Sequence, residues 1–344
     1  MSPGGTATGL FAQLDDAARA QLIASPQPGW IAPMLATLTH HHFSADGWIF
    51  ERKLDGERCL AFRTDSQVRL LSRNQLSLTN TYPEIADALH AQAHDVVVDG
   101  EVVALENGQT SFSRLQRRFG ISDPAVARSS SIAVTYFIFD VLHVDGHDVR
   151  RLPLKTRKTV LQQCLAFAEP LEYTTHRDRE GEAYLAEACA LGWEGLIAKR
   201  DDAPYVSKRS PDWLKFKCGN EQEFVIGGFT DPMRSRVGFG ALLLGYHEGE
   251  QLLYAGKVGT GFDTATLLTL RRQLDALAQP DSPFASTARI RERGTHFARP
   301  ELVAQVGFAE WTNDGLLRHP RYLGLRDDKD AREVVRERPR EVAP

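Results

Sequence analysis

Lys53-Leu54-Asp55-Gly56-Glu57-Arg58 follows the strand-like run WIFER (48–52) and leads into RCLAFRT (58–64). A lysine at a strand end meets a turn-forming Asp-Gly pair, and an arginine returns on the next strand. That arrangement points Lys53 and Arg58 into one pocket. The same residues also fit an isolated hairpin with solvated charges, and four specified positions are only suggestive by themselves.

Outward from this stretch the chain stays rich in strands. VRLLSR (68–73) reads as a third strand, and PEIADALHAQ (83–92) as a helix with Pro83 in an early position that suits its missing N–H. DVVVDGEVVAL (95–105) is a strand pair, or a bent strand broken at Gly100, and AVTYFIFDVLHVDG (133–146) is another apolar strand. Two amphipathic helices follow, the first with Val160, Leu161, Cys164, Leu165 and Ala168. The second carries Tyr184, Leu185, Ala188 and Leu191 and stops at Gly192. GLIAKR (195–200) and WLKFK (213–217) close this unit, which is α+β and not a regular βαβ alternation.

A break falls near KCGNEQE (217–223). Beyond it come three strands with Gly-rich turns, a helix capped by Asp263 with Leu267, Leu270, Leu274 and Leu277 on one face, and two more strands. That order fits a five-stranded OB barrel, a fold that often binds nucleic acid. Residues 1–28 read as an extension with at most one short helix around 10–24, and 331–344 as a frayed charged tail. VGTGFDT and AGKVGTG complete neither a dinucleotide fingerprint nor a phosphate loop.

The chain has 344 residues, 42% hydrophobic and 25% charged, enough for two domains of about 150 residues. Those fractions exclude disorder, collagen and coiled coil. No apolar run approaches the roughly 20 residues of a membrane span, and the N-terminus lacks the features of a secretory signal. The net charge of −4 counts against a polyanion-wrapping protein. Four cysteines without a C-x-x-C pair imply neither a zinc site nor a disulfide framework, and a reducing cytoplasm is the expected compartment. His40-His41-His42 reads as a solvated turn, because metal sites draw ligands from several elements.

K-x-D-G-x-R resembles the nucleotidyl-acceptor motif of ATP-dependent DNA ligases and mRNA capping enzymes, the covalent nucleotidyltransferases. The superfamily's other motifs follow in order: SRN (72–74), DGE (99–101), YFIFD (136–140), EGLIAK (194–199), WLKFK (213–217) and RHPRYLGLRDDK (318–329). Segments such as PMLATL, SRVGFGALLLGY and FAEWTNDGLLRHPR are similar to bacterial ATP-dependent ligases of the ligase D and ligase C-like group. The resemblance covers about residues 30–330. It implies an adenylation domain of antiparallel sheets and helices over 29–220 and a smaller OB-fold domain over 221–330.

The chemistry explains the residue types. A lysine amine attacks the α-phosphorus of ATP, giving lysyl-AMP and pyrophosphate; only the neutral amine is nucleophilic. The resemblance makes Lys53 the catalytic nucleophile, its pKa lowered by Lys199, Lys215, Lys217 and Mg²⁺, with Mn²⁺ as a substitute. It assigns Glu101 and Glu194 to the metal, which prefers hard oxygen ligands. Glu51 matches the acceptor for the adenine amino group, and Phe139 the ring that stacks on adenine. Arg58 and Arg73 match contacts to AMP and to a 5′-phosphate, where a guanidinium fork suits phosphate oxygens. Arg209 is similar to a further nucleotide contact. Arg321, Arg326 and Lys329 would orient pyrophosphate opposite Lys53, which implies a mobile OB domain that closes for the first step.

The reading that results is an ATP-dependent DNA ligase sealing nicks or joined ends in repair or end joining. A GTP-using capping enzyme shares the lysine motif, but FGALLLGY and RHPRYLGLRDDK disfavour it; an NAD-dependent ligase lacks support without a cysteine cluster. RNA strands remain possible substrates, and an inert nick-binding scaffold is countered by the intact motif residues. Only 52 residues precede Lys53, so the expectation is a catalytic core that works without an added DNA-binding domain and without the polymerase and phosphoesterase modules of full ligase D proteins. Modest, salt-sensitive affinity for nicked or broken duplex DNA is therefore expected, assisted by a Ku-type end-binding partner, and the chain is expected to be a monomer.

Overall fold

The computed structural model describes residues 7–106, 108–233, 235–287, 290 and 292–339. It divides into a unit ending at Cys218 and a second unit, Gly219–Arg338. Each is described by itself.

In the first unit the elements that carry the site are β1 (Leu35–Leu38), β2 (Trp48–Arg52), β3 (Glu57–Thr64), β4 (Gln67–Ser72), α1 (Pro83–His90), β5 (Val96–Glu106) and β6 (Val134–Val144). They continue with α2 (Leu154–Cys164), β7 (His176–Asp178), α3 (Gly181–Ala190), β8 (Gly195–Arg200) and β9 (Arg209–Lys217). Among the described residues these form two sheets. One has eight strands around β4-β3-β5-β6; the other has five, in the order β7-β2-β8-β9-β1. Nearly all pairings are antiparallel, with β1 parallel to β9. β5 is one continuous strand, not a pair, with its register against β6 shifted between Asp99 and Gly100.

Side-chain alternation sorts each sheet into two faces. On the larger sheet Cys59, Ala61, Val96, Val98 and Tyr136 pack against Ile85 and Leu89 of α1 and Val160 and Leu161 of α2. Its opposite face, with Leu60, Phe62, Val97, Phe139 and Leu142, meets Trp213 and Ile197 of the five-stranded sheet. The far face of that second sheet, Phe50, Leu196, Leu214 and Phe216, covers Tyr184, Leu185 and Ala188 of α3. The unit is thus layered helix, sheet, sheet, helix, with an apolar seam between the sheets.

The stretch 53–58 is not a hairpin. β2 belongs to the five-stranded sheet and β3 to the larger one, so the chain crosses between sheets there. Gly56 is required by close packing: a Cβ on it would lie 2.2 Å from Val102 O and 2.8 Å from Val103 Cγ1.

The second unit contains β10 (Asn220–Thr230), β11 (Leu242–Glu248), β12 (Gln251–Val258), α4 (Thr264–Ala276), β13 (Thr295–Phe308) and β14 (Arg321–Leu325). β12-β11-β10-β13 form one antiparallel run, and β14 pairs with β13. Tyr322 N–H donates to Thr260 O (2.9 Å), linking β14 to the segment after β12. Asp263 caps α4 by accepting from Thr266 N–H (2.7 Å), and Leu267, Leu270 and Leu274 are its buried face.

Three expectations need correction. Cys189 and Cys218 form a disulfide with Cα atoms 5.3 Å apart, because α3 packs on the sheet so that its last turn reaches the end of β9; Cys59 and Cys164 are buried thiols. The tail is docked over its described part. Val334 is buried, His247 N–H donates to Val334 O (2.7 Å), Arg336 lies 4.1 Å from the Trp311 ring centroid, and Glu337 N–H donates to Gln222 Oε1 (3.0 Å). The extension contains two four-residue helices, Ala7–Leu10 and Asp16–Arg19, in place of one. Residues 1–6 and 340–344 of these two segments lie outside the described residues. No described helix is long and apolar enough to cross a membrane.

Candidate active site

Register places most of the chemistry on one sheet face. Ile197 lies opposite Glu51 on β2 and opposite Lys215 on β9; Lys199 lies opposite Ile49 and Trp213; Lys217 lies opposite Gly195. Alternation therefore turns Glu51, Lys199, Lys215 and Lys217 the same way, toward the seam. Lys53 N–H donates to Gly195 O (2.9 Å), carrying the β2–β8 ladder one step further. A Cβ on Gly195 would sit 2.0 Å from Phe216 O, so only glycine lets β9 pass there. From the other sheet, Arg58 lies opposite Glu101 across β3 and β5.

Lys53 Nζ contacts Glu194 Oε2 at 2.5 Å, with both side chains mostly buried. Burial pulls the amine down, but Glu194, with Asp55 and Glu101 behind it, outweighs burial and holds it up at about 12. This reverses the expected depression by neighbouring cations. The charges that dominate at Lys53 are carboxylates, while Lys199 is committed elsewhere.

Lys199 Nζ lies 2.5 Å from Glu51 Oε2, and Lys158 Nζ lies 2.5 Å from Glu51 Oε1; all three side chains are 2% exposed. Burial raises the Glu51 carboxyl, and the two lysines more than reverse it, leaving it below its ordinary value. Lys199 is pushed down to about 8 by burial, against Glu51 and with help from Lys158. Its Nζ also sits 4.2 Å from the Phe139 ring centroid and 4.1 Å from that of Trp213. Phe139 is buried in the seam, so the structure brings it to Lys199 and to Arg58, whose guanidinium is 4.5 Å from the same ring.

Arg58 forks onto buried Asp99 (Nε–Oδ1 2.5 Å, Nη2–Oδ2 2.6 Å), and Tyr205 donates its hydroxyl to Asp99 Oδ2 (2.6 Å). Burial lowers the Arg58 guanidinium, and Asp99 beside it more than reverses this, leaving it above its ordinary value. Arg73 stands in the turn after β4, half-buried. Arg209, exposed at the start of β9, donates to Ala36 O on β1. In the second unit Arg321 is exposed on β14, Arg326 forks onto Asp328 (2.8 Å twice), and Lys329 lies 3.2 Å from Glu223.

Lys158, Asp99 and the wholly buried pair Arg157–Asp140 (2.8 Å) were not singled out from the sequence. A signal for Lys158 exists: it falls between Leu154 and Leu161 on the buried stripe of α2, where a lysine needs a partner. For a metal, the fit is limited and specific. Among the described residues no group of three or more His, Cys, Asp or Glu is placed to hold an ion, and the His40–His42 tract is no exception. Glu101 and Glu194 both act on Lys53. Two carboxylates without a full cage suit Mg²⁺ carried with a triphosphate, which binds few protein ligands.

The family model for the ATP dependent DNA ligase domain matches residues 33–217, and that for the ATP dependent DNA ligase C terminal region matches 235–329. The multifunctional non-homologous end joining protein LigD of Pseudomonas aeruginosa is 40% identical over 323 residues, covering 92% of this chain and 38% of that protein. LigD of Mycolicibacterium smegmatis is 38% identical over 315 residues (90% and 40%), and a DNA ligase of Methanoculleus marisnigri 31% over 295 residues (83% and 52%). The chain therefore spans roughly two fifths to one half of these relatives' lengths. The structure of mycobacterial DNA ligase D complexed with ATP and MES aligns with a TM-score of 0.64 at 36% identity, covering 89% of this chain and 98% of that one. The architecture is accordingly α+β, a nucleotidyltransferase domain followed by an OB-fold domain. With two family models matched in order across both units, the chain belongs to the ATP-dependent DNA ligase family.

Proposed function

We propose that this chain seals nicks or joined ends in duplex DNA, using ATP, through a lysyl-AMP intermediate on Lys53. The observation that supports it most directly is the Lys53–Glu194 contact at the end of β2, on the sheet face that also carries Glu51, Lys199 and Lys215. Lys53 Nζ attacks the α-phosphorus, forming the P–N bond while the bond to pyrophosphate breaks. AMP then passes to the 5′-phosphate of the nick, and the 3′-hydroxyl displaces it to form the phosphodiester.

Glu51 accepts from the adenine amino group, Phe139 stacks on the base, and Arg58 and Arg73 meet AMP and the nick's 5′-phosphate. Lys199, Lys215, Lys217 and Arg209 line the nucleotide, while Arg321, Arg326 and Lys329 orient pyrophosphate. Glu101 and Glu194 would hold Mg²⁺, or Mn²⁺ in its place. Bound there, the ion supplies positive charge that offsets both carboxylates and the triphosphate. Glu194 is the chief group holding the Lys53 proton, so engaging Glu194 elsewhere moves the amine toward its neutral, reactive form. The partners are broken duplex DNA and a Ku-type end-binding protein, with the chain acting as a monomer near the bacterial nucleoid in the cytoplasm.

The test is sealing of a 5′-phosphorylated nicked duplex with ATP, GTP or NAD⁺, with and without Mg²⁺, on DNA and RNA strands. Joining of DNA with ATP and Mg²⁺ is expected. A protein–GMP adduct from GTP without any strand joining would point to capping chemistry instead.

A further inference from the structure

Glu51 has two oxygens and two lysines, and the lysines have different surroundings. Lys199 holds Oε2 while lying against Phe139, the ring proposed to stack on the base. Lys158 holds Oε1 from α2, where its Nζ also donates to Thr174 O (3.0 Å). The helix is fixed beside it, since Arg157 forks onto Asp140 (2.8 and 2.9 Å) with neither side chain exposed. Lys158 is therefore anchored on the protein side of the carboxylate, and Lys199 on the nucleotide side.

We propose that Lys158 is a positioning residue that sets base specificity by fixing Glu51 as an acceptor. The inference rests on the reading of Glu51 as the adenine contact. A base amino group that bonds Oε2 displaces Lys199, and Lys158 alone then keeps Glu51 ionised and oriented. An ionised carboxylate only accepts, so it takes the amino N–H of adenine and repels the carbonyl oxygen that guanine presents at the same position. The exchange is eased because two buried lysines share one carboxylate, so Lys199 can leave Oε2 while Lys158 still holds Oε1. Without Lys158, a buried Glu51 freed from Lys199 would gain a proton or turn away, and discrimination would fall.

The experiment measures protein–nucleotide adduct formation on the full chain with ATP and with GTP, giving KM and kcat for wild type, Lys158→Met, Lys158→Arg and Glu51→Gln. Lys155→Met is the control, removing an exposed lysine of the same helix. Lys158→Met is expected to raise KM for ATP about tenfold, with kcat changed much less, and to narrow the ATP/GTP ratio of kcat/KM. Lys158→Arg should restore the ratio, Glu51→Gln should narrow it, and Lys155→Met should leave it unchanged. Equal losses with both nucleotides would overturn the inference in favour of a purely structural lysine. An unchanged ratio in Lys158→Met beside a narrowed one in Glu51→Gln would overturn it while sparing the Glu51 reading. An unchanged ratio in Glu51→Gln would remove both. Should Lys158→Met fail to fold, Lys158→Gln and Lys158→Arg are compared on the same ratio.

Discussion

Lys53 and Lys199 each lie 2.5 Å from a glutamate oxygen on one five-stranded sheet, yet their protons are held in opposite ways. Lys53 has Glu194 to itself, keeps 18% of its side chain exposed, and is held up at about 12. Lys199 shares Glu51 with Lys158, is 2% exposed, and is pushed down to about 8. Desolvation acts downward on both; the count of nearby charges decides the sign. With Lys53 as the proposed nucleophile, a low pKa is thus a poor guide to the attacking amine. Lys199 is the easier amine to deprotonate but is enclosed between Phe139 and Trp213, whereas Lys53 follows a strand end and is the more exposed of the two.

The largest break in this comparison is removal of either amine. Lys53→Ala is expected to reduce protein–AMP formation from labelled ATP by at least about a thousandfold, because no other group can take its place. Lys199→Ala should weaken the reaction but leave an adduct visible on the same gel. Stability should show the reverse order. Glu51→Ala leaves two buried lysines without their carboxylate, at a cost of about 3–5 kcal/mol, while Glu194→Ala strands a single, less completely buried lysine and should cost about 1–3 kcal/mol. Urea unfolding of the two variants checks this, and equal losses would erase the distinction between the pairs.

The smallest effect is one of titration. In nucleotide-free protein, acylation of Lys53 should speed up about tenfold per pH unit and level off only near 12; in Glu194→Gln the levelling should move down by about a unit. The sign for stability follows. A lysine whose pKa is raised on folding contributes fully below the unfolded value of about 10.4, and that contribution is lost as pH rises through the folded value. An unshifted profile in Glu194→Gln would mean that Glu194 does not hold the proton.

Much of the site was legible because strand alternation is local. WLKFK places Lys215 and Lys217 at every second position, and the motifs WIFER and GLIAKR carry Glu51 and Lys199, which share that face once the strands pair. Helical periodicity is equally local, so the buried faces of α2 and α4 were legible, although α2 ends at Cys164, before Leu165 and Ala168, and α4 ends at Ala276, before Leu277. What the sequence hid depends on distant partners. Asp-Gly after Lys53 reads as a hairpin turn, and only the approach of Val102 and Val103 explains Gly56 and the crossing between sheets. Lys158 meets Glu51 across 107 positions, and Asp99 meets Arg58 across 41. Cys189–Cys218 and the docked residues 334–337 likewise follow from tertiary packing that no spacing rule encodes.

One measurement bears most directly on the contrast between the two lysines. The wild-type chain, incubated with labelled ATP and Mg²⁺, is digested at a pH that preserves the phosphoramidate, and the AMP-bearing peptide is sequenced by mass spectrometry. The label is expected on Lys53 alone. AMP on Lys199, the amine with the lower pKa, would contradict the account.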